Sequence, residues 1–331
     1  MESTTASAEA RLQEYSSPAG GVHPLSTGAT TMSELLTLAA ENHADRAAIK
    51  FHADDQWHDV TYGELGEVVK SVAKGLIASG VEHGDFVSIL SNTRPEWTYA
   101  DFGSLCAGAV VAPVYPTNSA EECEYVLNHA ESKVLFVEDS EQLAKINGIR
   151  ANTPSLELVV VIESEGADLG DAISLEDLQA RGSARHDDDS ARPASVKPDD
   201  LCTIVYTSGT TGPPKGCMIT HENFRNTTLM GTATIADIDE SNGETVYLFL
   251  PLAHVFARLT QFVVLDFGGT LAYWRRNPQL IVPDLMEVKP ESLPSVPRIF
   301  EKIYAMAGGA AASRSEEDQE LFKKAIEVGF K

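Results

Sequence analysis

Basic residues are scarce in this chain. Lys and Arg number 25 against 49 Asp and Glu in 331 residues, a formal net charge of −24. Binding to nucleic acid needs a basic face that neutralises phosphates, so composition argues against a nucleic-acid partner. An anionic membrane surface is disfavoured for the same reason, although peripheral contact stays open. The acidic excess is read as solubility, with adaptation to high salt as an open alternative. Cysteine is also rare. Cys106, Cys123, Cys202 and Cys217 form no C-x-x-C pair, which excludes the usual zinc spacing and a disulfide framework and fits a reducing compartment. No apolar run reaches the roughly 18 residues of a membrane span. The N-terminus, MESTTASAEARLQEY, has no basic-then-apolar signal pattern, so a cytoplasmic protein is expected.

The remaining composition is that of a globular protein: 43% hydrophobic and 22% charged residues. The length suffices for two domains or one large one with a sizeable core. Residues 1–31 are rich in Ser, Thr, Ala and Gly and read as a loose tail. Beyond them the two hydrophobic periods alternate. Thr61 and Glu64 form a capping box ahead of Leu65, Val68, Val69, Val72, Ala73 and Leu76 at helical spacing, and Gly80 stands where a helix-ending glycine belongs. Apolar runs at 86–90, 110–114, 133–137 and 158–162 read as strands, with helices near 97–105 and after a second capping box at Ser119 and Glu122. Strands alternating with helices imply βαβ units, so the expected fold is α/β, with mostly parallel sheets flanked by helices in two lobes. A polar stretch, 181–200, marks the expected boundary between a first lobe at 32–200 and a second at 201–331; within it Asp187–Asp189 is a solvated charge run.

Chemistry concentrates after the strand expected at 201–206. The next ten residues are Thr207, Ser208, Gly209, Thr210, Thr211, Gly212, Pro213, Pro214, Lys215 and Gly216. Glycines let backbone N–H groups approach a ligand, and successive amides make an anion-binding concavity. Four hydroxyls add donors, and Lys215 adds a full charge suited to phosphate. A flexible surface loop would also use small polar residues, but this one directly follows a strand and ends on a lysine. It is not a Walker A loop, because Pro214 precedes the lysine and Gly216 follows it.

The run YTSGTTGPPKG (Tyr206–Gly216) resembles the AMP-binding signature of the adenylate-forming superfamily. Further resemblance lies in WHDVTYGEL (57–65), GDFVSILSNTRPEW (84–97) and GAVVAPVYPT (108–117). LPLAHVFAR (250–258) and PSVPRIFEKIY (294–304) are similar to segments of long-chain fatty acyl-CoA synthetases, with Ala257 in place of the usual acidic residue. The resemblance implies an ATP-dependent long-chain fatty acid–CoA ligase that forms an acyl-adenylate. Its substrates are a fatty acid, ATP and coenzyme A, with Mg²⁺ bridging phosphates. It implies that Thr207–Gly212 and Lys215 hold the polyphosphate, with Thr211 at the metal. His254 then lies near the acyl carboxylate and α-phosphate, with Phe256 at the acyl pocket. On this reading Lys215 and His254 are the catalytic candidates.

Leu250–Phe256 is also read as leaving a strand, which would put His254 and Phe256 on one side; the alternative is that both close the core at a strand end. Arg298 with Glu301, and Arg275 with Arg276, are read as solvated surface charges, and Trp97 and Tyr99 as packing residues. The resemblance packs the helix near 32–43 on the second lobe. It places the Tyr-Gly-x-Thr-Glu motif, the ribose-binding aspartate and the small C-terminal domain beyond Lys331. The expectation is therefore an N-terminal fragment unable to complete catalysis alone. A non-catalytic nucleotide-binding remnant and a ligase for another acid stand as alternatives. Oligomeric state and chain-length preference are not legible.

Overall fold

The computed structural model describes residues 24–184, 193, 195–207, 213–234 and 244–329. Its larger sheet has seven strands in the order β7-β6-β5-β3-β4-β8-β9. These are β3 (Phe86–Leu90), β4 (Val110–Val114), β5 (Val134–Val137), β6 (Leu158–Val161), β7 (Ile173–Ser174), β8 (Leu201–Thr207) and β9 (Lys215–Thr220). All neighbours are parallel except β8–β9. Strands β3, β4 and β5 are almost wholly buried, as apolar runs in a sheet covered on both faces should be. A smaller sheet has the order β10-β11-β1-β2. It joins the hairpin β1 (Ala47–Ala53) and β2 (Gln56–Thr61) to β10 (Thr245–Leu248) and β11 (Thr270–Tyr273). The hairpin turns on Asp54 and Asp55, both at positive φ (49° and 59°), the backbone that a two-residue type I′ turn needs and that Asp tolerates.

The helices, among the described residues, are α1 (Met32–His43), α2 (Tyr62–Ala78), α3 (Pro95–Cys106), α4 (Ala120–His129), α5 (Ser140–Ile149), α6 (Leu175–Ser183), α7 (His221–Thr234), α8 (Val255–Asp266), α9 (Ile281–Val288), α10 (Pro297–Ala312) and α11 (Glu316–Gly329). Both capping boxes form, at Thr61–Glu64 and Ser119–Glu122, and Gly80 takes φ 92° after α2. One core cluster contains residues of α1, α2, α3, α8 and both sheets; a second fills the other face of the larger sheet under α4 and α5. Trp97 is fully buried, as its packing assignment requires. Among the described residues no helix is long and apolar enough to cross a membrane.

Four expectations change. The loose tail ends before residue 31: Thr27 donates through N–H and Oγ1 to Asp266 Oδ1 (3.2 and 2.7 Å), and Arg225 Nε donates to Ala29 O (2.6 Å). The buried Arg225–Asp266 pair (2.9 Å) needs further polar partners, and residues 26–29 supply them. Residues 1–23 lie outside the described residues, as do Asp187–Asp189. The sheets do not divide at residue 200, because β8 and β9 complete the larger one and β1 and β2 belong to the smaller. Helix α1 packs on α2 and α3 as well as on α7 and α8, so it spans the joint between the sheets. Arg275 and Arg276 are not a solvated pair. Arg275 bonds Asp284 and Glu287, and Arg276 reaches Glu138 and Glu163 at 3.0 and 2.8 Å.

Candidate active site

The phosphate-loop candidate is the connection of a β-hairpin. Thr207 closes β8, Lys215 opens β9, and the two are direct partners across the antiparallel pair. Between the loop and α7 the chain forms a further strand, KGCMIT (215–220). The Lys215 backbone is fixed by pairing while its side chain stays exposed. Ser208, Gly209, Thr210, Thr211 and Gly212 lie outside the described residues. Gly216 follows Lys215 because the strand passes close to β8: a Cβ there would stand 2.6 Å from Ile204 Cγ2.

The second candidate group follows β10. Residues 250–254 run from this strand into α8, and Thr93, beyond the carboxyl end of β3, fastens them. Its Oγ1 donates to Leu250 O (2.7 Å) and accepts from Leu252 N–H (3.0 Å). Thr207 also ends a parallel-paired strand, so all three segments leave carboxyl ends of strands, where open α/β sheets bind ligands.

His254 and Phe256 are not strand neighbours. His254 is the N-cap of α8, and its Nδ1 accepts the Phe256 N–H at 3.2 Å. Strand alternation does not relate them, because Pro251 and the cap bond turn the chain into a helix; the two are joined by that bond instead. With Nδ1 accepting, the neutral ring carries its proton on Nε2, a donor with no hydrogen-bond partner among the described residues. Phe256 is 42% exposed and His254 is exposed too, so neither closes the core.

A buried polar network, not foreseen as such, fixes α8 against β8. Arg258 Nε and Nη2 donate to Asp101 (3.0 and 2.5 Å), and its Nη1 donates to Thr203 Oγ1 (2.7 Å). Gln261 Nε2 donates to Asp101 at 3.0 Å, and Thr98 Oγ1 donates to Gln261 at 2.6 Å. The guanidinium also stands over the rings of Trp97, Phe224 and Phe262 at 5.4–5.9 Å. Burial pushes the Asp101 carboxyl up against the opposing pull of Arg258 and Gln261. Arg258 closes the LPLAHVFAR run four residues after His254, one helical turn, and that spacing was the available signal.

The AMP-binding enzyme family matches residues 36–326, and the chain belongs to that family. A long-chain-fatty-acid–CoA ligase from Mycobacterium bovis (FadD15) is 36% identical over 260 residues, covering 78% of this chain and 42% of that protein. One from Drosophila melanogaster (heimdall) is 31% identical over 328 residues, covering 95% and 47%. The chain thus spans less than half the length of these relatives. Among solved structures, the A domain of a carboxylic acid reductase from Segniliparus rugosus superposes with a TM-score of 0.74 at 20% identity, covering 96% of this chain and 56% of that one. A putative long-chain-fatty-acid CoA ligase from Rhodopseudomonas palustris does so with 0.71 at 20%, covering 89% and 72%. At these identities the likeness speaks for the fold.

Proposed function

We propose that this chain carries the polyphosphate and acyl-carboxylate sites of an ATP-dependent long-chain fatty acid–CoA ligase. The observation that carries the reading is the hairpin register: Thr207 faces Lys215 across the mouth of a Gly/Thr loop. The names of the M. bovis and Drosophila relatives support the substrate class. A carboxylate oxygen attacks the α-phosphorus of ATP, pyrophosphate leaves, and the thiol of coenzyme A then displaces AMP. Charge gathers on the phosphates in the first step, so fixed cations and N–H donors lower its barrier. Lys215 and the hydroxyls and amides of Thr207–Gly212 hold the β- and γ-phosphates. His254 Nε2–H donates to the acyl carboxylate or the α-phosphate beside it, and Phe256 lines the acyl chain. Thr211 would be the residue that holds Mg²⁺, which would supply charge neutralisation at the phosphates. A cytoplasmic location fits the four free cysteines, three of them buried.

The test, made in a version of the protein extended to the full length of its relatives, is palmitate-dependent exchange of labelled pyrophosphate into ATP. Lys215→Ala removes a charge-assisted contact and should slow exchange about 10- to 150-fold. Thioester formation from preformed acyl-adenylate should fall far less. An equal fall in both steps would make Lys215 structural and remove the reading.

A further inference from the structure

Between the end of β10 and the start of α8 the chain leaves the smaller sheet, and its peptide groups there have no ladder to pair with. Pro251 brings no N–H of its own, and its carbonyl accepts the His254 N–H (2.9 Å) inside the turn. Among the described residues, 250–253 hydrogen-bond outside that turn through one group only, the Thr93 hydroxyl. It serves Leu250 O and Leu252 N–H at once (2.7 and 3.0 Å). A hydroxyl can donate and accept through one atom, and the β-branched threonine confines that atom to few rotamers. Thr93 is itself held from behind. Trp274, just past β11 of the smaller sheet, donates through Nε1 to Thr93 O (3.2 Å). On either side Asn92 donates twice to Glu138, and Arg94 bonds Glu96 and Glu163. Leu252 and Ala253 are buried and fix the depth of the turn, but apolar contact is non-directional. The two bonds to Thr93 fix the rotation of the peptides that lead into His254. Thr93 is 2% exposed, so its hydroxyl is spent on the turn and not on solvent.

We infer that Thr93 is a positioning residue for activation of the acyl carboxylate, aiming the His254 Nε2–H through the turn at 250–254, with Trp274 holding Thr93 in place. This inference rests on the reading of His254 as the donor to that carboxylate. Neither Thr93 nor Trp274 is assigned contact with the substrate. A misplacement on the order of 1 Å can cost about 100-fold in rate, so a lost anchor here shows in turnover at saturation and not in the ATP KM. If Thr93 acts through His254, its loss adds nothing once the imidazole is gone. A residue that acts independently of His254 would add the same loss in either background.

The experiment uses the protein extended to the full length of its relatives and reads palmitate-dependent pyrophosphate exchange at saturating substrates, with the ATP KM beside it. Rates are normalised to the folded fraction from circular dichroism, which takes out a purely structural loss. Thr93→Val keeps the side-chain shape and removes both bonds, Thr93→Ser keeps the hydroxyl, and Trp274→Phe keeps an aromatic ring and removes the N–H. Thr93→Val should slow exchange about 10- to 100-fold with the ATP KM within about twofold, and Thr93→Ser should restore most of the rate. Trp274→Phe loses one bond and should slow exchange about three- to tenfold; it decides the matter if Thr93→Val does not fold. In a His254→Ala background each substitution should cost less than about twofold. Where His254→Ala leaves no measurable exchange, the Thr93→Ser rescue and the ATP KM decide. A full rate in Thr93→Val would overturn the inference. So would Thr93→Ser as slow as Thr93→Val, a rise in the ATP KM that accounts for the loss, or the same fold-loss with and without His254. If His254→Ala itself exchanges at the wild-type rate, the acyl-carboxylate reading falls and the inference falls with it. A slow His254→Ala beside an unaffected Thr93→Val removes the inference alone.

Discussion

At the scale of single residues, burial decides which polar groups titrate. His221 opens α7, and its Nδ1 accepts the Met32 N–H at 3.1 Å. That bond needs an unprotonated Nδ1. Burial, helped by the Arg258 charge, pushes His221 down from 6.5 to about 4. The unfolded chain then takes the proton first. Above about pH 6.5 the residue adds no pH dependence; between there and about pH 4 stability falls as protons bind the unfolded state, by up to about 3 kcal/mol. His221→Asn places an amide oxygen near the Nδ1 position and removes the titration. Urea denaturation at pH 7 and pH 4.5 should show a smaller loss on acidification for the variant than for the wild type. Identical losses would mean His221 does not carry the effect.

At the scale of elements, Arg258 joins α8 to α3 and β8 from a site it shares with Asp101, both almost fully buried. Removing one partner of such a pair costs about 3–5 kcal/mol, because the other charge stays buried alone. Arg258→Met should therefore destabilise strongly, and Arg258→Met with Asp101→Leu should recover much of the loss in chemical denaturation. A double variant as weak as the sum of the singles would show that the rest of the network depends on the pair. The elements themselves were legible where local chemistry dictates them. Both capping boxes, the apolar strands β3, β4, β5 and β6, and the buried Trp97 follow from short-range pattern. Strand β9 was hidden because KGCMIT is an exposed edge segment without a clean period, and its pairing comes from β8. The helix start at His254 was hidden because the apolar VYLFLPLA before it reads as continuing strand, whereas Pro251 and the imidazole cap end it. The YTSGTTGPPKG segment was legible as chemistry, since glycine, hydroxyl and lysine in one short run have few other uses.

At the scale of the whole molecule, the sheets are joined by charges whose partners lie far apart in sequence, and so Arg275 and Arg276 looked solvated. Arg276 follows β11 of the smaller sheet; Glu138 and Glu163 follow β5 and β6 of the larger. Arg94, beyond β3, bonds Glu163 and Glu96, both at 2.6 Å, and Asn92 donates twice to Glu138 at 2.9 and 2.7 Å. Burial works to raise Glu163, but Arg276 and Arg94 outweigh it and hold the carboxyl below its usual range. Such a carboxylate stabilises the fold above the normal glutamate range, and the benefit is lost as pH falls through the depressed value. Glu138 is deeply buried while Arg276 is 39% exposed. Loss of the arginine should therefore cost more than a surface pair and less than a buried one, about 1–3 kcal/mol. Arg276 also takes φ 55°, a backbone that favours glycine. Arg276→Ala loses the ion pairs and keeps the strained backbone; Arg276→Gly loses the pairs and relieves it. If the inter-sheet charges dominate, both variants lose stability at pH 7, alanine more by about 1–2 kcal/mol. The deficit of each should shrink as pH falls below the ordinary glutamate range and through the depressed value at which Glu163 neutralises. A glycine variant as stable as the wild type at pH 7 would show that the charges hold nothing together and that only the backbone strain is felt.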